Sequence, residues 1–248
     1  IDNLQASVVF GASLYSSDDG DQGGTCPVLD TVTASLNNAA AIDTLLDNNF
    51  PIQGADTPTT ESLAATFGAF PATVTPTSPR ILILATDGDP DTCVDPDSNG
   101  EAGPRTASEN AVQAGFGMGI KTFVLSVGAD TDKPHLDRMA RLGVGQDPGT
   151  GTATAYVATN ATALQTAFDQ IIGGVRSCVF DLDGTVDSNS AAQGNVRLDG
   201  TPLDLGTDWQ LAGGGQAIEL IGDACDTYLS NDTAELTAAF PCGGFVVQ

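Results

Sequence analysis

The sequence predicts an α/β protein: a doubly wound, mostly parallel sheet followed by a small all-β domain. Three observations predict it. Two runs, Arg80–Thr86 (RILILAT) and Lys121–Val127 (KTFVLSV), are apolar with little alternation, as strands buried on both faces are. Amphipathic helical segments stand between and around them, which is the grammar of parallel βαβ units. Beyond Gly173-Gly174 the helical periodicity stops, and short strands follow between Gly, Asp and Pro turns. The change divides the chain into an α/β domain over 1–174 and a small β-sandwich-like domain over 175–248.

Ser7–Leu14 (SVVFGASL) reads as a strand and Ser16–Gly24 as an Asp/Gly-rich loop. Ala39–Asn49 places Ala41, Ile42, Leu45 and Leu46 on one helical face. Thr59–Phe70 is a second helix, with Leu63, Phe67 and Phe70 apolar and Glu61 in its first turn. The strand Arg80–Thr86 ends in Asp87-Gly88. Thr106–Gly117, Asp132–Leu142 and Ala161–Ile172 read as helices, and Ala155–Ala158 as a short strand. In the second part Cys178–Leu182, Asn195–Leu198, Trp209–Leu211, Ala217–Ile221 and Glu235–Phe240 read as strands, with no helix. A domain this small sits near the lower size for a self-supporting core. A disulfide between Cys225 and Cys242, or of either with Cys178, is expected to brace it, with the pairing open.

Of 32 acidic residues 27 are Asp, against 8 basic ones, and the formal net charge is −24. Such a chain has no electrostatic grip on nucleic acid or an anionic membrane. Its longest strongly apolar run, Ile81–Ala85, is too short to span a bilayer. Asp rather than Glu favours turns, caps and hard-cation sites over helix surfaces. Five widely spaced cysteines without a C-x-x-C, and a single histidine, speak against zinc or iron–sulfur and for disulfides. An extracellular or cell-surface location follows. His135 reads as a surface or packing residue. With one histidine and no Gly-x-Ser-x-Gly elbow there is no hydrolytic triad, and no catalytic residue is expected.

Ligands of open α/β sheets bind at the carboxyl ends of the strands. There the chain places Asp87, Gly88, Asp89, Pro90 and Asp91, and Thr57-Pro58-Thr59 offers hydroxyls from another loop. Carboxylate plus threonine hydroxyl is hard-oxygen chemistry suited to Mg²⁺ or Mn²⁺, with Ca²⁺ a further candidate. The strand ending in Thr86-Asp87-Gly88, the G-x-x-T-x-T pattern from Gly54 and the strand Gly119–Gly128 together resemble the von Willebrand factor type A (vWA) domain, over about residues 5 to 173. The resemblance implies a metal-ion-dependent adhesion site in which Thr57 and Asp87 hold the ion, Asp87 through water. Thr59 and Asp89 are candidates to support it from behind. It also places Cys26 and Cys93 on the metal-bearing edge, where a bridge between them is expected.

The family's first loop, D-x-S-x-S at the end of its central strand, has no counterpart here. The chain opens at Ile1, holds Met only at 118 and 139, and begins to resemble the family at its second strand. A sheet without its central strand has two unpaired edges. An upstream segment or a partner strand is therefore expected to complete it.

Val179–Thr185 (VFDLDGT) resembles the nucleophile motif of haloacid dehalogenase-type phosphatases, with Asp181 and Asp183. That fold needs a further α/β sheet and a downstream lysine, whereas Lys121 and Lys133 both lie upstream. The alternative is a β-hairpin turn at Asp183-Gly184. Asp95, Asp97 and Asn99 open like a calcium loop, but its twelfth position is Thr106; a plain acidic turn is the other reading. Asp18, Asp19 and Asp21 form a weaker cluster, read as a solvated loop. The function expected is a secreted or cell-surface binding module that uses a divalent cation to engage an acidic group on a protein partner. The alternatives are a structural subunit of a surface assembly with a degenerate metal site and, more remotely, a phosphatase acting through Asp181 and Asp183.

Overall fold

A computed structural model describes residues 1–2, 4–6, 8–17, 24–49, 56–70, 79–96, 100–127, 132–175, 177–231, 234–241 and 243–247. The chain divides into two compact units, Ile1–Ala72 with Arg80–Ala167, and Thr73–Pro79 with Phe168–Gln248.

The first unit opens with an antiparallel pair, β1 (Phe10–Ser16) and β2 (Val28–Ser35). The register slips between Phe10 and Ala12, and a Cβ on the intervening Gly11 would lie 3.0 Å from Ala34 N and Val32 O. Only glycine allows the two backbones to approach so closely. The buried Asn38 closes the irregularity by donating to Phe10 O (2.7 Å) and Thr33 O (2.9 Å). Helix α1 (Ala39–Asn48) buries Ile42 and Leu45, whereas Ala41 and Leu46 are exposed. Helix α2 (Thr59–Ala69) buries Leu63 and Phe67.

The apolar runs become β3 (Arg80–Thr86) and β4 (Ile120–Val127), paired in parallel from Arg80↔Ile120 to Thr86↔Ser126. Helix α3 (Ala102–Gly117) joins them; it begins before Thr106, with Pro104 in its first turn, a position where the missing N–H costs nothing. Helix α4 (Lys133–Gly143) follows, and β5 (Tyr156–Ala158) adds a third parallel strand beside β4. Leu63, Phe67, Leu84, Val112, Ile120, Val124, Leu136 and Met139 form one core between the helices and this sheet. Helix α5 (Ala161–Val175) leads into the second unit.

There the strands are β6 (Val179–Asp181), β7 (Gly184–Val186), β8 (Asn195–Leu198), β9 (Thr201–Pro202), β10 (Trp209–Ala212), β11 (Ala217–Leu220), β12 (Leu236–Ala239) and β13 (Phe245–Val247). They form three antiparallel sheets, ordered β10-β11-β6, β12-β8-β9 and β13-β7. Trp209, 1% exposed, centres the core with Val196, Ile218 and Leu220, and stands edge-on to Phe240.

This architecture overturns the expected doubly wound, mostly parallel sheet followed by an all-β domain. Among the described residues the strands lie in five separate sheets of two or three, of which β3-β4-β5 is parallel and the others antiparallel. The opening segment runs antiparallel instead, because Val28–Ser35 folds back on it. The second unit also contains a helix, α6 (Gly222–Ser230). Nor is Asp183-Gly184 a hairpin turn: β6 pairs with β11 and β7 with β13, so the dipeptide turns a corner between sheets.

Two disulfides brace the chain. Cys26–Cys93 is the bridge expected on the sheet edge, and Cys178–Cys225 resolves the pairing left open in the second unit. Cys242 lies outside the described residues. The first bridge spans 67 residues, so Cys26→Ala with Cys93→Ala is expected to cost about 4 kcal/mol in a chain-entropy estimate. Urea unfolding of the double variant measures it.

His135 is buried, 4% exposed, with Nδ1 3.2 Å from Glu109 Oε1; Arg138 donates to both Glu109 oxygens at 2.9 Å. Burial holds the His135 pKa below its ordinary value, against the pull of Glu109. Burial alone would raise the Glu109 pKa, but hydrogen bonds from Arg138 and His135 outweigh it and the net shift is downward. Both groups bind protons more weakly folded than unfolded, so acidification destabilises. Stability is expected to fall first below pH ~6.5, where unfolded histidine protonates, and again below ~4.3, where unfolded glutamate does. Melting temperature against pH tests this: His135→Gln removes the upper step and Glu109→Gln the lower.

Candidate functional site

Three segments of the first unit meet at the carboxyl end of β3. From the end of β1, the buried Ser17 donates to Asp56 Oδ2 (2.7 Å) and accepts from Asp56 N (3.1 Å). Tyr15 puts its phenol within hydrogen-bonding reach of the Thr59 and Thr86 side chains; burial raises its pKa, against those bonds, and the Asp87 charge adds to the rise. The loop before α2 is stitched to the loop after β3 by Thr57 and Asp91. Asp91 N donates to Thr57 O (2.9 Å), and Thr57 N donates to Asp91 Oδ2 (3.1 Å). Glu61, in the first turn of α2, accepts from Cys93 N at 3.1 Å, tying the disulfide-bearing loop to the same edge.

The predicted ligands Thr57 and Asp87 therefore stand on neighbouring loops, Thr57 half-buried and Asp87 exposed. Thr59, the buried first residue of α2, donates its hydroxyl to Thr57 O at 3.2 Å. Asp89 faces elsewhere: Arg105 Nε and Nη2 donate to its Oδ1 at 3.1 and 2.7 Å, while Arg105 Nη1 lies 2.5 Å from Asp132 Oδ2. One guanidinium thus joins the loop after β3, the first turn of α3 and the N-cap of α4.

Among the described residues no group of three or more His, Cys, Asp or Glu side chains converges as a metal cluster. The Asp87 carboxylate and Thr57 hydroxyl have the hard-oxygen character Mg²⁺ or Mn²⁺ takes. Two protein donors suffice only for an ion that keeps most of its waters. Asp95 sits in a turn with Thr92, its N–H donating to Thr92 O and Oγ1 at 3.1 and 3.0 Å. Asp97 and Asn99, with Asp18, Asp19 and Asp21, lie outside the described residues. Asp181 closes β6 and Asp183 follows it, in the antiparallel unit.

Sequence reasoning missed Tyr15, Ser17, Asp56 and Arg105. Arg105 had a signal, being one of only 8 basic residues among 32 acidic ones. Tyr15 and Ser17 had none, because the strand they close continues past Leu14.

No known protein family matches the chain, and no curated protein matches it. Two crystal structures of the pilus adhesin SpaC from Lactobacillus rhamnosus GG, one in an open conformation, share its fold. Each is 16% identical, with a TM-score of 0.51 over 88% of this chain and 32% of the adhesin. The chain spans about a third of the length of the solved structures it matches. Two disulfides fit an extracellular or cell-surface protein. Among the described residues no helix is long and apolar enough to cross a membrane.

Gly100, at φ +82°, is where the clamp is most exposed to substitution: a Cβ there would lie 2.8 Å from both Arg105 Nη2 and Asp89 Oδ2. Gly100→Ala is expected to cost more than ~1 kcal/mol through the positive φ and this crowding. Arg105→Met leaves Asp89 and Asp132 without their shared cation, and its melting temperature should fall most at low ionic strength and recover partly in salt. Thermal unfolding at two salt concentrations reads both variants.

Proposed function

We propose that the chain is a secreted or cell-surface binding module that engages a protein partner at the carboxyl-end edge of β3. A divalent cation, Mg²⁺ or Mn²⁺, held by Thr57 and Asp87 would make that acidic edge attractive to a carboxylate on the partner. The observation that carries this reading is the placement of those two residues on loops that the Thr57–Asp91 hydrogen bonds join. The vWA resemblance of the same residues and the fold shared with part of a pilus adhesin support it. The proposed action is binding, not catalysis. Asp181 and Asp183 stand in an antiparallel unit, not at the end of the parallel strand a phosphatase nucleophile needs.

A second reading, a structural subunit of a surface assembly with a degenerate metal site, has its own observation. Asp89 is held by Arg105 and Asp91 by Thr57 N, so neither carboxylate is presented to an ion as Asp87 is.

Calorimetric titration with Mg²⁺ and Mn²⁺ separates the two. Adhesion predicts uptake that Asp87→Ala and Thr57→Ala each weaken by roughly tenfold, about 1.4 kcal/mol. No uptake, with a melting temperature unmoved by EDTA, would favour the structural subunit.

A further inference from the structure

His135, the single histidine of the chain, is buried at the seam between α3 and α4 with one ring nitrogen occupied and the other empty. Nδ1 lies 3.2 Å from Glu109 Oε1, and Glu109 accepts from Arg138 through both oxygens at 2.9 Å. A carboxylate paired with a guanidinium is ionised and can only accept, so Nδ1 carries the proton of the neutral ring. Nε2 is then a bare acceptor, buried and without a partner among the described residues. A proton arriving there makes a charged N–H donor with nothing to receive it, one of the costlier groups a core can hold.

The position of the ring decides where that cost falls. Asp132 is the N-cap of α4, and His135 stands in the first turn. The amino end of a helix carries the positive end of its dipole, so a cation there opposes the turn it sits in. Of the charged groups around the ring, α3 offers Glu109 and Arg105, and α4 offers Asp132 and Arg138. β4, also packed on α4, has Lys121 as its one titratable side chain, and that is exposed. Lys133 and Asp137 pair with each other, and Arg141 is turned to the loop beyond the helix. Glu109 is already shared with Arg138, and Asp132 with Arg105, so each nearby carboxylate has a cation before the ring gains its charge.

We propose that His135 is an acid-sensitive catch on the edge at the end of β3. Neutral, it pins the first turn of α4 to Glu109. Protonated, it leaves the seam for water, and the first turn of α4 loosens while the rest of the unit stays folded. That turn is tied directly to the edge. Asp132 accepts from His135 N (3.2 Å) with Oδ1 and meets Arg105 Nη1 with Oδ2, and Arg105 holds Asp89 at 2.7 Å. Loosening Asp132 therefore slackens the clamp on the loop that carries Asp87. Opening one helical turn is a local event, far smaller than unfolding, because Met139 and Leu142 farther along keep α4 on the core. The catch acts on the edge that the proposed adhesion would use, but it needs neither cation nor partner.

The single histidine gives one imidazole signal, so NMR of the full chain in EDTA reads the catch directly. Between about pH 7.5 and about pH 5 histidine titrates while Asp and Glu stay largely ionised. At the upper end the nitrogen shifts of the ring should report the Nδ1–H tautomer. As the ring takes its proton, the amides within Asp87–Asp91 and Asp132–Leu136 should move with the same midpoint. Their exchange, corrected for its intrinsic pH dependence, should quicken roughly tenfold or more while Ile120–Val127 stays protected. Arg105→Met should let the ring titrate without the loop amides following. His135→Gln, which still donates to Glu109 but takes no charge, should abolish the step. The proposal is overturned if the ring is Nε2–H at neutral pH, or if it titrates while the loop amides stand still. It is equally overturned if those amides follow the same midpoint in either variant, or if β4 loses protection together with them. Because no cation is present, a failure to take up Mg²⁺ or Mn²⁺ leaves this result untouched.

Discussion

The carboxyl edge of the parallel sheet gathers like charges that would separate if left to themselves, and Arg105 is the group that allows two of them to stay. Its guanidinium takes Asp89 on one side and Asp132 on the other, so the loop after β3, the start of α3 and the start of α4 share one charge. The three side chains are 27 to 34% exposed, so each pair alone is worth only ~0.2–1 kcal/mol. The larger quantity is the repulsion that would appear without the cation, because an unpaired, partly desolvated carboxylate costs more than its pair contributes. Thr57, Asp87 and the Asp91 contact keep their positions because those loops do.

Elsewhere the acid is handled by backbone N–H groups. Asp132 accepts from His135 N at the start of α4; Asp147 accepts from Gly149 N and Thr150 N; Asp187 accepts from Asn189 N; Asp199 accepts from Glu235 N. In the first three a short carboxylate reaches the amides of its own turn, which a glutamate's longer stem does less well, whereas Asp199 ties two distant segments. The hydrogen bonds from Thr150 and Gly149 to Asp147 hold its pKa below the usual carboxylate range. These Asp residues serve turns and caps, and among the described Asp residues of the loop after β3 it is Asp87 that is exposed.

What was legible in the sequence follows from how local each signal is. The runs of β3 and β4 could be read because apolar residues without alternation have few other uses. The Cys26–Cys93 bridge was legible only through the vWA resemblance, since cysteine spacing alone leaves pairing open. The fold class was misjudged because it depends on pairing. Val28–Ser35 alternates only loosely, and nothing local says that it turns back on Phe10–Ser16. Helix α6 begins at Gly222 with positive φ and carries Asp223, Asp226 and Thr227, residues that read as a turn. What makes it a helix is tertiary: Ala224, Cys225 and Tyr228 pack on the core around Trp209, with Tyr228 edge-on to Phe180 and Cys225 bonded to Cys178.

The sparseness of the metal edge follows from which strands end there: β1 and β3 lead into the loops that carry the candidate ligands, β1 at Ser17, which holds Asp56, and β3 at Asp87. With two protein donors a hard cation keeps most of its waters and has little reason to prefer this edge over any other acidic loop of the chain.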